Sequence, residues 1–379
     1  MQGAKTWVEI HAQALRSNIA ALRSLLSPET TFSGVVMSNA YGHGLAQVVP
    51  IMRDDGVNAF CVDTIDEAIL VRTLAPTSMI IILGYTVYDR LADVIEIDAH
   101  QTVYDLETIQ ALNVAAAHAG RTAKVHVKIE TGTMRQGVWP EQVPEIAQLI
   151  QSLRNVELVG VSTHYANVDE AESQSFAEYQ TDRFSVACAL LREEGLNPPI
   201  IHLACSAAVI LYPQTHGTLV RPGVSTYGFW PSRQVRHAAR LASRRIELEP
   251  VLSWKTRVAQ VKDAPMGTPV GPGCSEVLRR HSKVAVIPVG YYDGYDRGLS
   301  SIGEVIIRGQ LCKVIGKVCM NMIVVDVTEI PRVMVEDDVV LIGRSSKNRM
   351  RAEDIADRTG TISCEVTTRI NPLIPRIVV

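Results

Sequence analysis

No run of eighteen apolar residues occurs in the 379-residue chain, so no stretch has the length that a membrane-spanning helix needs. The N-terminal stretch MQGAKTWVEIHAQALRS has no apolar core of signal-peptide length, and a cytoplasmic protein is expected. Basic runs interleaved with aromatics are missing too, and the formal charge is -3, so nucleic acid is not an expected partner. The seven cysteines (Cys61, Cys188, Cys205, Cys274, Cys312, Cys319 and Cys364) are odd in number and lack metal-ligand spacing. That pattern points to reduced thiols, with neither a disulfide framework nor a metal site. Solenoid repeats and low-complexity segments are absent as well.

What is present is ordinary for a soluble globular protein: 47% hydrophobic and 20% charged residues. The length is large for a single core and fits two domains, or one barrel-sized domain with a smaller companion. Eight apolar runs of strand length alternate with helical patterns: TFSGVVM, NAFCV, SMIIIL, a weaker AHQTVY, AKVHVKI, VELVGVSTH, IIHLA and GTLVRPGV. Between them lie amphipathic segments, such as Leu15, Ile19, Leu22 and Leu26 at helical spacing, and TIDEAILVRT, where Thr64 and Glu67 form a capping-box signature. Eight such β-α units predict an α/β fold, a (β/α)8 TIM barrel over residues 1–238. From about residue 240 short alternating strands with Gly and Pro turns take over, which predicts a β-rich C-terminal domain over 239–379.

A barrel of this kind builds its active site at the C-terminal ends of its strands, where this chain is rich in polar residues. Tyr41 and His43 follow the first strand, Lys128 and Arg135 the fifth, His164 the sixth and Ser206 the seventh, and Arg221 and Gly223 stand on the eighth. Singly each has a structural explanation. Together, cations and hydroxyls on one rim suggest an anionic ligand, and the loops after strands seven and eight commonly hold phosphate.

The motifs NAYGHG, KIETGTMRQG, STHYANVDE, VRPGVSTYG, GYYDGYDR and GKVCMNM, in this order and spacing, give the whole chain a resemblance to the alanine racemase family. Its members are pyridoxal phosphate (PLP) enzymes of fold type III. The resemblance implies that Tyr41, Ser206, Gly223 and Val224 bind the cofactor phosphate, that His164 lies against the cofactor, and that Arg221 faces its pyridine nitrogen. There a fixed cation would oppose protonation of the nitrogen. By the same resemblance Lys128 matches a lysine carbamylated in many members, which would hold Arg135 near the substrate carboxylate. Tyr291 matches the catalytic tyrosine, contributed by the partner subunit of a homodimer, and Met320 a residue whose backbone amide binds the substrate carboxylate.

One position breaks the pattern. Met37, in VVMSNAYGHG, stands where the family has the lysine that forms the Schiff base with PLP. That lysine holds the cofactor and acts as the base on the face of the substrate Cα opposite the tyrosine. A thioether does neither. Further departures surround it: Cys205 stands for an asparagine, Thr133-Met134 for methionine-glycine, Asn321 for an aspartate, Lys317 for an arginine, and Cys364 for a phosphate-binding tyrosine.

The sequence therefore suggests an isomerase-family enzyme for an amino-acid-like small molecule that has left internal-aldimine chemistry, with no covalent cofactor and at most weakly held PLP. Two alternatives stay open: an alanine racemase inactivated by an engineered Lys-to-Met change, and a non-catalytic binding protein using the old pocket.

Overall fold

The computed structural model describes residues 3–170, 175–244 and 246–379. It divides into two compact units: Ala14–Ser38 with Val48–Glu249, and Met1–Gln13 with Asn39–Gln47 and Pro250–Val379.

The first unit is the barrel. Its strands, in chain order, are Thr31–Val35, Ala59–Val62, Met79–Ile82, His100–Val103, Ala123–Lys128, Val156–Ser162, Ile200–His202 and Leu219–Val220. Each pairs in parallel with the next, except that the eighth pairs with the first, Thr31 opposite Leu219. Strands seven and eight meet through single backbone bonds, Thr218 N to Ile201 O and Arg221 N to Ala204 O, both 2.9 Å, which nearly close the ring. Strands covered on both faces read as unbroken apolar runs, and Ala59–Val62 is buried throughout. The fourth strand is equally buried yet polar, with Gln101 satisfied internally. Gln101 Nε2 donates to Gly84 O at 3.0 Å and Gln101 Oε1 accepts from Thr86 at 2.8 Å. This is why its apolar signal is weak.

Helix Ala12–Arg23 buries Leu15, Ile19 and Leu22, whereas Leu26 lies past its end in a turn. Thr64 caps Ile65–Leu74 by accepting from Glu67 N, and the Glu67 carboxylate accepts from the amide of Asp63 at 3.0 Å.

The second unit is built on a ten-stranded sheet. The run VLSWKTRVAQV forms two strands, Leu252–Arg257 and Gln260–Ala264, and KVIGKVCMNMIVVDV contributes to Gln310–Ile315 and Ile323–Asp326. The N-terminal strand Thr6–Ile10, which the sequence reading did not single out, lies in this sheet. It runs antiparallel to Leu252–Arg257 and parallel to Arg376–Val378. Trp254 is fully buried here and donates its indole N–H to Thr6 Oγ1 at 3.0 Å, as a buried indole requires. Among the described residues no helix is long and apolar enough to cross a membrane.

Candidate functional site

On the barrel, the C-terminal strand ends bring four of the expected residues, Lys128, Arg135, His164 and Arg221, into one electrostatic neighbourhood. Arg221, directly after the eighth strand, is buried and donates to His202 Nδ1, to His202 O at 2.8 Å and to Thr163 O at 2.7 Å. Lys128 ends the fifth strand, with its Nζ donating to Gln136 Oε1 at 3.3 Å. Burial, and then the cations Arg135 and Arg221, pull the Lys128 amine down to about 8. The same causes, burial before Arg221, Arg135 and Lys128, hold His164 neutral, down to about 3. Three cations and no carboxylate partner for Arg221 among the described ion pairs make this end of the barrel a place for an anion.

The KIETGTMRQG loop owes its shape to Glu130, which sequence reading passed over. Its carboxylate accepts from Gly132 N at 2.5 Å, Thr133 N at 2.6 Å and Arg135 N at 3.3 Å. Burial alone would raise the Glu130 pKa, but these amides together hold it below the usual value. Gln136, inside the KIETGTMRQG motif, and Tyr104, at the end of the AHQTVY run, are joined at 3.3 Å beside Lys128 and were also missed.

Ser206 opens the short helix after the seventh strand, and its Oγ accepts from Ser225 N at 3.2 Å. Gly223 and Val224 lead into the turn Val224–Tyr227. Within it Ser225 is fully buried and its hydroxyl has no hydrogen-bond partner. A buried hydroxyl left unpaired beside Ser206 fits a site whose missing acceptor is a phosphate oxygen.

Met37 is half-buried, two residues past the first strand, whose end is fixed by the Tyr227 hydroxyl donating to Val35 O at 2.8 Å. It opens a helical segment, Met37–Tyr41, of unusual hand. Ser38, Asn39, Ala40 and Tyr41 all have φ of 54° or 55°. L-residues pay about 1–2 kcal/mol each in this region, so four in succession must be held by their surroundings. The glycine-rich turn expected from the sequence is thus a left-handed turn made largely of non-glycine residues.

Its later part, with Tyr41, groups with the β unit. There His43 is completely buried and its Nδ1 lies 3.0 Å from the carbonyls of both Ala40 and Tyr41, so His43 braces the turn. Burial takes it down to about 4. Tyr291 and Met320 also lie in the β unit and adjoin each other: Tyr291 N donates to Cys319 O and Tyr292 N to Met320 O, both at 3.0 Å. Tyr291 is 44% exposed and Met320 55%. The expected site residues therefore fall into a barrel set and a β-unit set.

The model of the alanine racemase N-terminal domain matches residues 10–231, and that of the alanine racemase C-terminal domain matches residues 251–378. The chain belongs to the alanine racemase family. An alanine racemase from Methanococcus maripaludis is 34% identical over 372 residues, covering 98% of both chains. Among solved structures, an alanine racemase from Clostridium difficile 630 superposes with a TM-score of 0.94 at 32% identity, over all of this chain and 97% of that one. The alanine racemase of Bartonella henselae, solved with covalently bound pyridoxal phosphate, has a TM-score of 0.86 at 25% identity, over 99% of this chain and all of the other. In this family's setting, Ser206, Ser225 and Arg221 fit the non-covalent contacts of such a cofactor. Residue 37 is a methionine, whose thioether forms no imine.

Proposed function

We propose that this chain is an alanine-racemase-like enzyme acting on an amino-acid-like small molecule, and that it holds pyridoxal phosphate, when it holds it, without a covalent bond. The observation that carries the proposal is Met37. The left-handed turn that presents residue 37 at the barrel's rim is intact, and the side chain there is a thioether.

When bound, the cofactor supplies an electron sink for charge that develops at the substrate Cα. The hydroxyls of Ser206 and Ser225, with Gly223 and Val224, would hold its phosphate. Arg221 presents a fixed positive charge to its ring, with neutral His164 beside it. Arg135 and Lys128 receive the substrate carboxylate, together with the backbone of the partner's Met320, which adjoins the partner's Tyr291. Tyr291 of the partner subunit moves a proton on one face of Cα, which makes the site a shared one in a homodimer. Met37 moves no proton on the other face.

Racemisation needs both faces, so a reaction with proton transfer on one face suits this residue set better. Loss of one positioned acid-base group costs about 10²- to 10⁴-fold, and alanine racemisation with added PLP is expected to be negligible. The test is alanine turnover by the chain and by Met37→Lys, each with saturating PLP. Little recovery is expected, because Cys205 and Cys364 also depart from the family pattern. Robust racemisation by Met37→Lys alone would replace this reading with that of an ordinary alanine racemase lacking one lysine.

A further inference from the structure

Below Arg221 the barrel interior holds three histidines in single file. Arg221 donates to His202 Nδ1 on the seventh strand. His202 Nε2 stands 2.8 Å from His126 Nδ1 on the fifth, and His126 Nε2 stands 2.9 Å from His100 Nδ1 on the fourth. His126 and His202 are inaccessible to solvent and His100 nearly so. His100 lines a cleft of about 670 Å³ with Ser78, Asp98 and Lys124. Among the described residues no group of histidine, cysteine and carboxylate side chains is placed to hold a metal ion. The ring nitrogens face one another along a line.

Hydrogen-bond chemistry fixes the proton on every ring. A guanidinium has donors only, so the His202 Nδ1 that faces it is a bare lone pair, and the proton of His202 sits on Nε2. That N–H donates to His126 Nδ1, which must also be bare, and the argument repeats at His100. All three rings are therefore neutral Nε2–H tautomers, with lone pairs toward Arg221 and N–H groups away from it.

The glycine at 160 makes this row sterically possible. His126 must cross the sixth strand to reach His202, and Gly160 is its register partner there. A Cβ on residue 160 would lie 2.1 Å from His126 Nδ1 and 2.4 Å from Cε1. Gly160 does not have a positive φ, so the residue is needed for space rather than for backbone freedom.

We propose that His202, His126 and His100 are positioning residues for Arg221: a co-oriented row of neutral imidazoles, admitted by Gly160, that stabilises the buried guanidinium by dipoles and leaves its charge uncancelled. A carboxylate in the same place would neutralise the cation. Two carbonyls and an imidazole lone pair hold it while its field still acts on whatever faces the rim. The consequence for a ligand rests on the function proposed above, but the row itself does not.

The groups that face these rings agree with neutrality. Burial lowers all three pKa values, His100 to about 4. His100 also faces Lys124, Asp98 and Arg72, His126 faces His100 and Arg221, and His202 faces Arg221, His126, His100 and Lys128. The single carboxylate, Asp98, is already paired with Lys124 at 2.9 Å.

The test is histidine ¹⁵N NMR of the full-length chain without ligand, between about pH 6 and 8. Three Nε2–H tautomers are expected, with N–H···N couplings linking 202 to 126 and 126 to 100. Gly160→Ala should abolish the first coupling and keep the second. Arg221→Met, with the donor removed, should leave a mixed tautomer at His100, two rings away, an effect that simple packing would not transmit. An imidazolium or Nδ1–H form at any of the three in the unmodified chain would overturn the proposal, as would an unchanged His100 in Arg221→Met. Should either variant fail to fold, the couplings of the unmodified chain decide. Failure of PLP to bind would bear on the proposed function alone.

Discussion

Gly42 lies so near the backbone of Thr367 that a Cβ on residue 42 would stand 2.0 Å from the Thr367 carbonyl oxygen. Its own carbonyl accepts from Arg376 Nε at 3.3 Å and Nη2 at 3.2 Å, and its φ is 81°. These contacts clamp the end of the left-handed turn, where the strain of four non-glycine residues has to be offset. Gly42→Ala should cost at least about 2 kcal/mol, combining left-handed strain with the displaced backbone. Urea unfolding measures it, and a midpoint equal to that of the unmodified chain would show that the turn is not clamped here.

Lys128 should accept carbon dioxide. Burial and the neighbouring Arg135 and Arg221 bring its amine to about 8, so about half of it is neutral and nucleophilic at that pH. With ¹³C-bicarbonate, a carbamate signal should grow between about pH 7 and 9 and vanish in Lys128→Ala. A signal that survives the substitution would place the carbamate elsewhere. Because the folded pKa lies below the unfolded one, the unfolded chain binds the extra proton between about pH 8 and 10.5, and this group's contribution to stability rises with pH there. Lys128→Met should flatten that slope.

Neither unusual cysteine is built as a nucleophile. Burial pushes the Cys364 thiol up to about 12 and raises that of Cys205 too. Cys274 is exposed. Peptide mapping after brief alkylation of the folded protein should therefore find Cys274 modified first, with Cys205 and Cys364 reacting on unfolding. Fast modification of either in the native state would mark it as a reactive group and contradict this reading.

The eight barrel strands were legible because strands buried on both faces carry continuous apolar runs. Even the fourth, written in polar residues, sat at the right place in the alternation. Lys128, Arg135, His164, Ser206 and Arg221 could be placed on one rim because strand ends set where side chains go. The left-handed turn was not legible: of Ser38, Asn39, Ala40 and Tyr41, only asparagine is a residue type that enters that region readily. The Thr6–Ile10 strand was missed because its partners, Leu252–Arg257 and Arg376–Val378, lie more than two hundred residues away. Local pattern carries no trace of such pairing. Gly160 likewise reads as a weak point in a strand until His126 is seen beside it.

For the proposed homodimer, the β unit offers a candidate surface of exposed aromatic and methionine side chains. Tyr291, Tyr292, Met320 and Met322 are 44–57% exposed, and backbone bonds tie Tyr292 to Met320 and Met322 to Cys319. An obligate interface there should bury more than about 2,000 Å². Sedimentation equilibrium should find a dimer at micromolar concentration, weakened at least tenfold by Tyr292→Glu with Met322→Glu. A monomeric unmodified chain would remove the shared site.

The central claim concerns residue 37, and borohydride reduction followed by intact and peptide mass spectrometry tests it most directly. The chain, incubated with PLP, reduced and digested, is predicted to carry no reduced pyridoxyl adduct on any lysine, while Met37→Lys gains one at residue 37. A stoichiometric adduct on a lysine of the unmodified chain would contradict the account, since the cofactor would then have a covalent anchor that Met37 does not provide.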